Sequence, residues 1–519
     1  MFRAYRLRFL ASHRIVIALY IILCGSILVF SNGSTFGSPD DFCTLSARYF
    51  ADGCTSADPI QMRGILDASF SQASNQGRFY QIVYYTLTQF AFALNSDLIV
   101  TAIRIITILG LLHSSYLFAL KAIGQKVALF VPLGFSMIFS LTSGYNAVTG
   151  FPLWMMLGQT FLLYAFSVFY DLRQQFSWIR AAAMAGLLLM GVMSYEALIF
   201  QSIALFGVLV FARPRGPQKV KELFASYAKP IYVLVACAAI YLALYAGYSN
   251  LNPSDYVGSR ISLGTLAETS ETLVLLSTAH FLTTGGIVVR NFYDLRFVAL
   301  WVSILVLVTI LLLGYRSGVK APVHGAVHVR PKLSQMRTVV LAGVLILASV
   351  APNLPLALTE RYRVWVETDP VYLGAIYSAV LQALAVALGL DLLMRIRKNW
   401  LALVGAVLVG SLASSTLAAN LVLFRERLDR EWIYSEAVSA VQDLELSEQD
   451  ASTLVADFSA LKEFSGSGGY RFWDPFVLSR SGVLLTDEIA SGEELKREKR
   501  VVRFYVDVDA RQVSVAWVR

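Results

Sequence analysis

The chain has 519 residues, 56% of them hydrophobic and 15% charged, with a mean hydropathy of +0.60. Soluble domains average roughly 45–50% apolar and 25% charged residues, so this composition excludes an ordinary water-soluble globular protein. The net charge of +8 is spread in short basic stretches between apolar runs. That is the pattern of membrane-topology signals rather than of a nucleic-acid surface.

In chain order, the first apolar run is Ile15–Phe30, preceded by Arg3, Arg6, Arg8 and Arg14. Those cations predict a cytoplasmic N-terminus. The run reads as an uncleaved anchor, because no small-residue cleavage site follows it. It delivers an acidic external loop, residues 31–97, with Asp40, Asp41, Asp52, Asp58 and Asp67. Within that loop Phe79–Leu94 is apolar and rich in aromatics (Phe79, Tyr80, Tyr84, Tyr85, Phe90, Phe92). Counted as a span, it would put Lys121, Lys126 and the stretch Arg173–Arg180 outside. Laid along the outer interface, it returns every later basic loop to the cytoplasm, and its aromatics suit that position.

The spans expected next are Ile99–Leu120, Val127–Leu141, Leu153–Phe169, Ala181–Ser194 and Leu198–Phe211. Ile231–Tyr245 then leads to a long external segment, Ala246–Arg296, whose apolar part Leu273–Val289 is read as a second interfacial stretch. Phe297–Leu313, Val339–Val350, Tyr372–Met394 and Leu401–Leu423 complete the set. A backbone in lipid must satisfy its own hydrogen bonds, so these runs are helices. The expected fold is an all-α polytopic membrane protein with about eleven transmembrane helices plus interfacial ones, occupying residues 1–424. From Arg425 to Arg519 the character changes to a charged, small α/β extracytoplasmic domain. It opens on an amphipathic stretch, Trp432–Leu446, continues through Leu454–Phe458 and Val483–Leu485, and ends in a hairpin of Val501–Val508 with Gln512–Val518.

Four cysteines are present. Cys24 and Cys237 fall in helices and read as small core residues. Cys43 and Cys54 share the first external loop, where an oxidising compartment allows a disulfide; their spacing leaves open whether one forms. His324 and His328 sit i, i+4 in a basic loop without a partner carboxylate, and His113 and His280 are lone histidines in apolar context. No metal-ligand set is read from these residues. No nucleotide-binding fingerprint occurs, which implies no use of ATP or nicotinamide.

The chemistry-bearing pattern is Ser38-Pro39-Asp40-Asp41-Phe42, just beyond the outer end of the first helix. Two adjacent carboxylates supply a general base and a second charge that tunes it; the bland alternative is that acids populate external loops. The long external loop then leads to Gly77-Arg78-Phe79, an interfacial helix, many spans and an external C-terminal domain. This combination resembles the GT-C superfamily of polytopic glycosyltransferases, and within it the bacterial O-antigen glucosyltransferases. The architectural likeness covers nearly the whole chain. The motifs themselves are short.

The resemblance implies that Asp40 or Asp41 deprotonates an acceptor hydroxyl, which attacks the anomeric carbon of a sugar carried on polyprenyl phosphate. The departing lipid phosphate needs cations. Arg361 and Arg363 in Thr359-Glu360-Arg361-Tyr362-Arg363 are the candidates, with interfacial snorkelling beside Tyr362 and Trp365 as the alternative. Arg78 offers a further donor-phosphate contact, or a salt bridge to Asp58 or Asp67. Tyr195-Glu196, between two apolar half-runs, resembles the Tyr-Gln or Tyr-Glu step of the family and implies substrate contact; a plain loop carboxylate is the alternative. Family members with and without a divalent cation leave metal use open. The expected partners are the lipid-linked sugar donor, a glycan or lipid-linked acceptor such as O-antigen, and membrane lipids, with no nucleic acid. The expected place is the inner (plasma) membrane, with the C-terminal domain periplasmic. A transporter or flippase is the rival from another class, and a polysaccharide polymerase or ligase is a third reading. Inverted repeats and mid-membrane acids would favour the transporter, and neither is evident.

Overall fold

The computed structural model describes residues 97–139, 153–195, 197–212, 220–253, 264–319, 334–360, 362–363, 372–396, 398–442, 454–457, 500–507 and 510–517, with isolated positions between 66 and 86. Its helices are α1 (Asp97–Ala122), α2 (Gln125–Ile138), α3 (Leu153–Gln174), α4 (Trp178–Val192), α5 (Ala197–Phe211) and α6 (Val220–Leu251). They continue as α7 (Leu266–Asn291), α8 (Leu295–Val319), α9 (Gln335–Ala348), the short α10 (Leu354–Ala357), α11 (Tyr372–Arg395) and α12 (Asn399–Gln442). Among the described residues, eight helices are long and apolar enough to cross a membrane, and α2, α4 and α5 are shorter apolar helices. The protein is a multi-pass membrane protein.

Side-chain contacts fix the relative directions of the helices. Gly110 faces Thr160, His113 Nδ1 lies 2.7 Å from Tyr164 Oη, and Lys121 pairs with Asp171, so α1 and α3 run parallel. The turn Ile123–Gly124 separates α1 from α2, and Gly124 takes φ +144°, a conformation that side chains disfavour. On α12, Thr416 Oγ1 donates to Met137 O and Asn420 Nδ2 to Phe139 O, which sets α12 parallel to α2. Trp301 Nε1 donates to Ser415 and Arg316 to Asn399, so α8 runs against α12. Lys121, Arg173, Arg316, Arg395 and Lys398 therefore collect at one basic end of the bundle.

The centre of the bundle is α11. Of its apolar window 78% is buried, against 11% for α6 and 22% for α8. Tyr377, Val380, Leu381, Leu384 and Leu388 have no exposed surface, whereas α8 exposes Val302, Val306 and Ile310. Apolar side chains on that outer surface face lipid at no cost in hydration, while the interior is held by close packing and small residues. Gly134 of α2 is one of these: a Cβ there would sit 2.4 Å from Ala383 O of α11.

α12 is 44 residues long, about 66 Å at 1.5 Å per residue. That is about twice a bilayer core. Its apolar window ends at Leu423, and the helix continues unbroken through the charged residues from Arg425. The change of composition at residue 425 is thus a change of surroundings along one helix. Beyond it Ile433 is buried, and β3 packs against α12. The strands are β1 (Leu454–Asp457), β2 (Arg500–Asp507) and β3 (Gln512–Trp517), in the order β1-β2-β3. β1 and β2 are parallel; β2 and β3 form the expected antiparallel hairpin, with Val502 opposite Trp517. Its turn holds Arg511 at φ 51°, and Asp507 Oδ1 accepts from Ala510 N. Val483–Leu485 lies outside the described residues.

Candidate functional site

At the end of the bundle opposite the basic one, the chain turns from α4 to α5 through Met193–Tyr195. Ser194 Oγ donates to Gly191 O at 2.8 Å, closing the turn on its own helix. The turn sinks against α3 because Gly158 has no side chain: a Cβ there would lie 1.8 Å from Ser194 Oγ. Tyr195 is left extended and buried. Its hydroxyl lies 2.9 Å from Tyr362 Oη, and its ring stacks on Tyr377 of α11 at 5.6 Å and 25°. The structure thereby joins two residues that the sequence offers in separate segments, Tyr195 and Tyr362.

Tyr195 and Tyr362 are 5% and 6% exposed. At that burial the pair acts as a strut that positions its neighbours rather than as a surface for substrate. Tyr195→Phe or Tyr362→Phe removes this buried hydrogen bond and is expected to cost about 1–2 kcal/mol. The double variant should cost less than the sum, a coupling of about 1 kcal/mol readable from thermal melting of the purified protein.

Next to Tyr362, Arg363 lies against the start of α7. A Cβ on Gly264 would fall 2.4 Å from Arg363 Nη1 and 2.8 Å from Glu268 Oε2, so a side chain there would push the guanidinium or the carboxylate aside. Glu268 is also the N3 partner of a capping box. Its carboxylate accepts from Thr265 N at 2.9 Å, and Thr265 Oγ1 accepts from Glu268 N at 3.2 Å. Arg363 thus sits beside a fixed carboxylate at the head of α7, with its charge felt there. An arriving phosphate would exchange for an existing partner of this guanidinium.

Of the other sequence-derived candidates, Asp40, Asp41, Cys43, Cys54, Arg78, Glu196 and Arg361 lie outside the described residues. Phe79, which follows Arg78, packs against Tyr241 and Tyr248 of α6, with ring centroids 6.2 and 6.1 Å apart. Ser74 donates to Asn252 Oδ1 at 3.0 Å. Part of the segment preceding α1 is therefore seated along the second half of α6. Among the described residues no group of three His, Cys, Asp or Glu is placed to hold a metal.

Two features were not singled out from the sequence. The first is a helix break after α9. Residues Ala351–Asn353 form a 3₁₀ turn leading to α10, with Pro352 and Pro355 at the starts of the two pieces. Asn353, fully buried, donates to Ser277 Oγ at 2.8 Å and to Ser378 Oγ at 3.0 Å; Ser378 donates onward to Ser349 O. Gln382 Nε2 donates to Ser277 O, and His280, 1% exposed, faces Gln382. Neither His280 ring nitrogen, nor Gln382 Oε1, has a hydrogen-bond partner among the described residues. Irregular backbone at this depth is tolerated because it is enclosed by protein and its polar groups are engaged. Asn353→Leu removes both bonds, and a loss of about 2 kcal/mol in thermal stability is expected. The sequence signal was Ala351-Pro352-Asn353-Leu354-Pro355 closing an apolar run.

The second feature is Arg104, 2% exposed near the start of α1. It is a cation within an otherwise apolar run, a position that is expensive in a membrane and commonly functional. Gln159 forms a third polar contact at α11, donating to Ile376 O at 2.9 Å and to Gln201 Oε1 at 3.4 Å.

Compared with protein-family models, curated proteins and solved structures, the chain matches none of them. The likeness to GT-C enzymes therefore rests on this chain's own residues and architecture.

Proposed function

We propose that this protein is a GT-C-type glycosyltransferase that moves a sugar from a polyprenyl-phosphate carrier to an acceptor outside the cytoplasm. The observation that carries the reading is the contact of Tyr195 with Tyr362, which brings these two residues, with Arg363 next to Tyr362, to one end of the bundle. Asp40 or Asp41 takes the proton of an acceptor hydroxyl. The oxygen attacks the anomeric carbon, the bond from that carbon to the phosphate oxygen breaks, and the lipid phosphate leaves with the electron pair. Arg361, Arg363 and Arg78 are the cations assigned to that leaving charge, and Glu196, next in the chain to the buried Tyr195, is assigned to border the substrate.

The basic end is assigned to the cytoplasm by the excess of Lys and Arg there, which places the Tyr195–Tyr362 end outside together with the C-terminal strands. About eleven spans fit this orientation, with Ile15–Phe30 as the first. α7 starts beside Arg363, and α8 also starts away from the basic end. That supports an α7 lying along the outer interface, although it is long enough to cross.

The test is transfer of radiolabelled sugar from polyprenyl-phosphate donors to extracted envelope acceptors by the purified protein. Transfer by the wild type is expected. No transfer from any donor, together with substrate-dependent flux in proteoliposomes, would replace the enzyme with a transporter or flippase. That second reading is favoured by the broken helix at Ala351–Ala357 and the buried polar groups around it, features on which transporters build their sites. A polymerase or ligase would instead extend or join lipid-linked glycans in the same assay.

A further inference from the structure

At the basic end, three cations are bound by polar groups of the protein itself. Lys121 pairs with Asp171, Arg395 with Asp391, and Arg316 donates to Ile396 O and Asn399 Oδ1. Three cations around the α3–α4 turn and the start of α6 differ. Among the described residues no carboxylate pairs with Arg173, Arg180 or Lys229. Two of them are held by aromatic rings instead. Arg173 lies 4.6 Å from the Tyr227 ring centroid and donates to its hydroxyl at 2.9 Å, while Lys229 sits 5.3 Å from the ring of Phe176. Phe176 in turn packs edge-on against Trp178 at 5.0 Å. Tyr227 is fixed by stacking on Phe169 at 5.8 Å.

Rings position these cations without neutralising them, so the cluster keeps its positive charge. Directly beside it the surface is apolar: Trp178 is 79% and Ile179 83% exposed, and on α6 Tyr232 and Val235 are 73% and 55% exposed. α4 and α6 are in contact, so these cations and apolar side chains share one surface. A free phosphate has no use for that apolar floor; a phosphodiester carrying acyl chains does.

We propose that this surface is a binding site for one anionic phospholipid, its phosphate held by Arg173, Arg180 and Lys229 and its chains lying along α4 and α6. The site is separate from the proposed catalytic end and does not depend on the glycosyltransferase reading. Basic patches between helices at a cytoplasmic surface suit such headgroups.

The experiment is native mass spectrometry of the purified full-length protein with phosphatidylglycerol or phosphatidylcholine, with thermal melting alongside. Wild type is expected to retain phosphatidylglycerol and to be protected by it more than by phosphatidylcholine. The Arg180→Gln/Lys229→Gln pair, both exposed residues, should weaken that retention about tenfold. The pair Arg337→Gln/Lys398→Gln removes the same charge from other exposed positions at the same end and should leave retention near wild type. Equal loss in both pairs, or loss in neither, would overturn the site. Protection by inorganic phosphate equal to that by the lipid would also overturn it, because the apolar floor would then have no part.

Discussion

Asp40→Asn or Asp41→Asn is expected to lower sugar transfer by about 10²–10⁴-fold, the contribution of a positioned general base. Asn keeps the size of the side chain and its hydrogen-bonding oxygen but takes no proton at neutral pH, so the acceptor hydroxyl must attack undissociated. The two variants should differ. The carboxylate that receives the proton is indispensable, whereas its neighbour acts through its charge, which raises the proton affinity of the first. Loss of that neighbour is expected to shift the pH profile of transfer towards lower pH with a smaller fall in rate. Labelled transfer, measured at matched amounts of membrane-inserted protein across a pH series, separates these roles. Full activity in both variants would remove the pair from the mechanism.

Gly134→Val should produce the largest loss of stability, about 3 kcal/mol. The contact of α2 with α11 is made backbone to side: the Cβ of any residue at 134 would meet Ala383 O at 2.4 Å, the carbonyl carbon at 3.1 Å and Cα at 3.2 Å. No rotamer relieves a clash with main chain, so the two helices must separate, and α11 is buried along most of its surface. Ala383 has no exposed surface, and Val131 and Leu133 of α2 are 0% and 2% exposed. Interiors at crystal-like density do not take up such a shift locally. The comparison is Gly186→Val in α4, where nothing lies within 4 Å of the new Cβ. Thermal melting followed by size-exclusion fluorescence should show Gly134→Val far below wild type and Gly186→Val close to it. Similar melting of the two variants would show that the α2–α11 contact does not control stability.

Much of the architecture was legible because it is written in local composition. A run such as Leu295–Leu313, with Arg296 its one charged residue, has no stable place but a bilayer or a core, and within it the backbone must be helical. The β2–β3 hairpin was equally readable, since alternating Val and polar residues on both sides of Asp509-Ala510-Arg511 specify one register. The change of polarity at residue 425 is visible in the sequence. It could not reveal that α12 crosses it without interruption, because a helix continues equally well in lipid and in water.

The candidate site was legible only in pieces. Tyr195 and Arg363 drew attention through their polar neighbours in apolar surroundings, but nothing in either segment names the other. The partnership of Tyr195 with Tyr362, separated by 167 positions, follows from how α3, α5 and α11 pack. The same holds for Asn353 between Ser277 and Ser378, and for Gly264 beneath Arg363. Sequence by itself therefore determined that this is a polytopic helical membrane protein with a polar C-terminal part, because hydrophobicity and helical hydrogen bonding are properties of each segment alone. Only the tertiary structure decided which helix is central, which run is broken and which distant side chains meet. Those outcomes depend on complementary shapes at van der Waals range, which no single segment encodes.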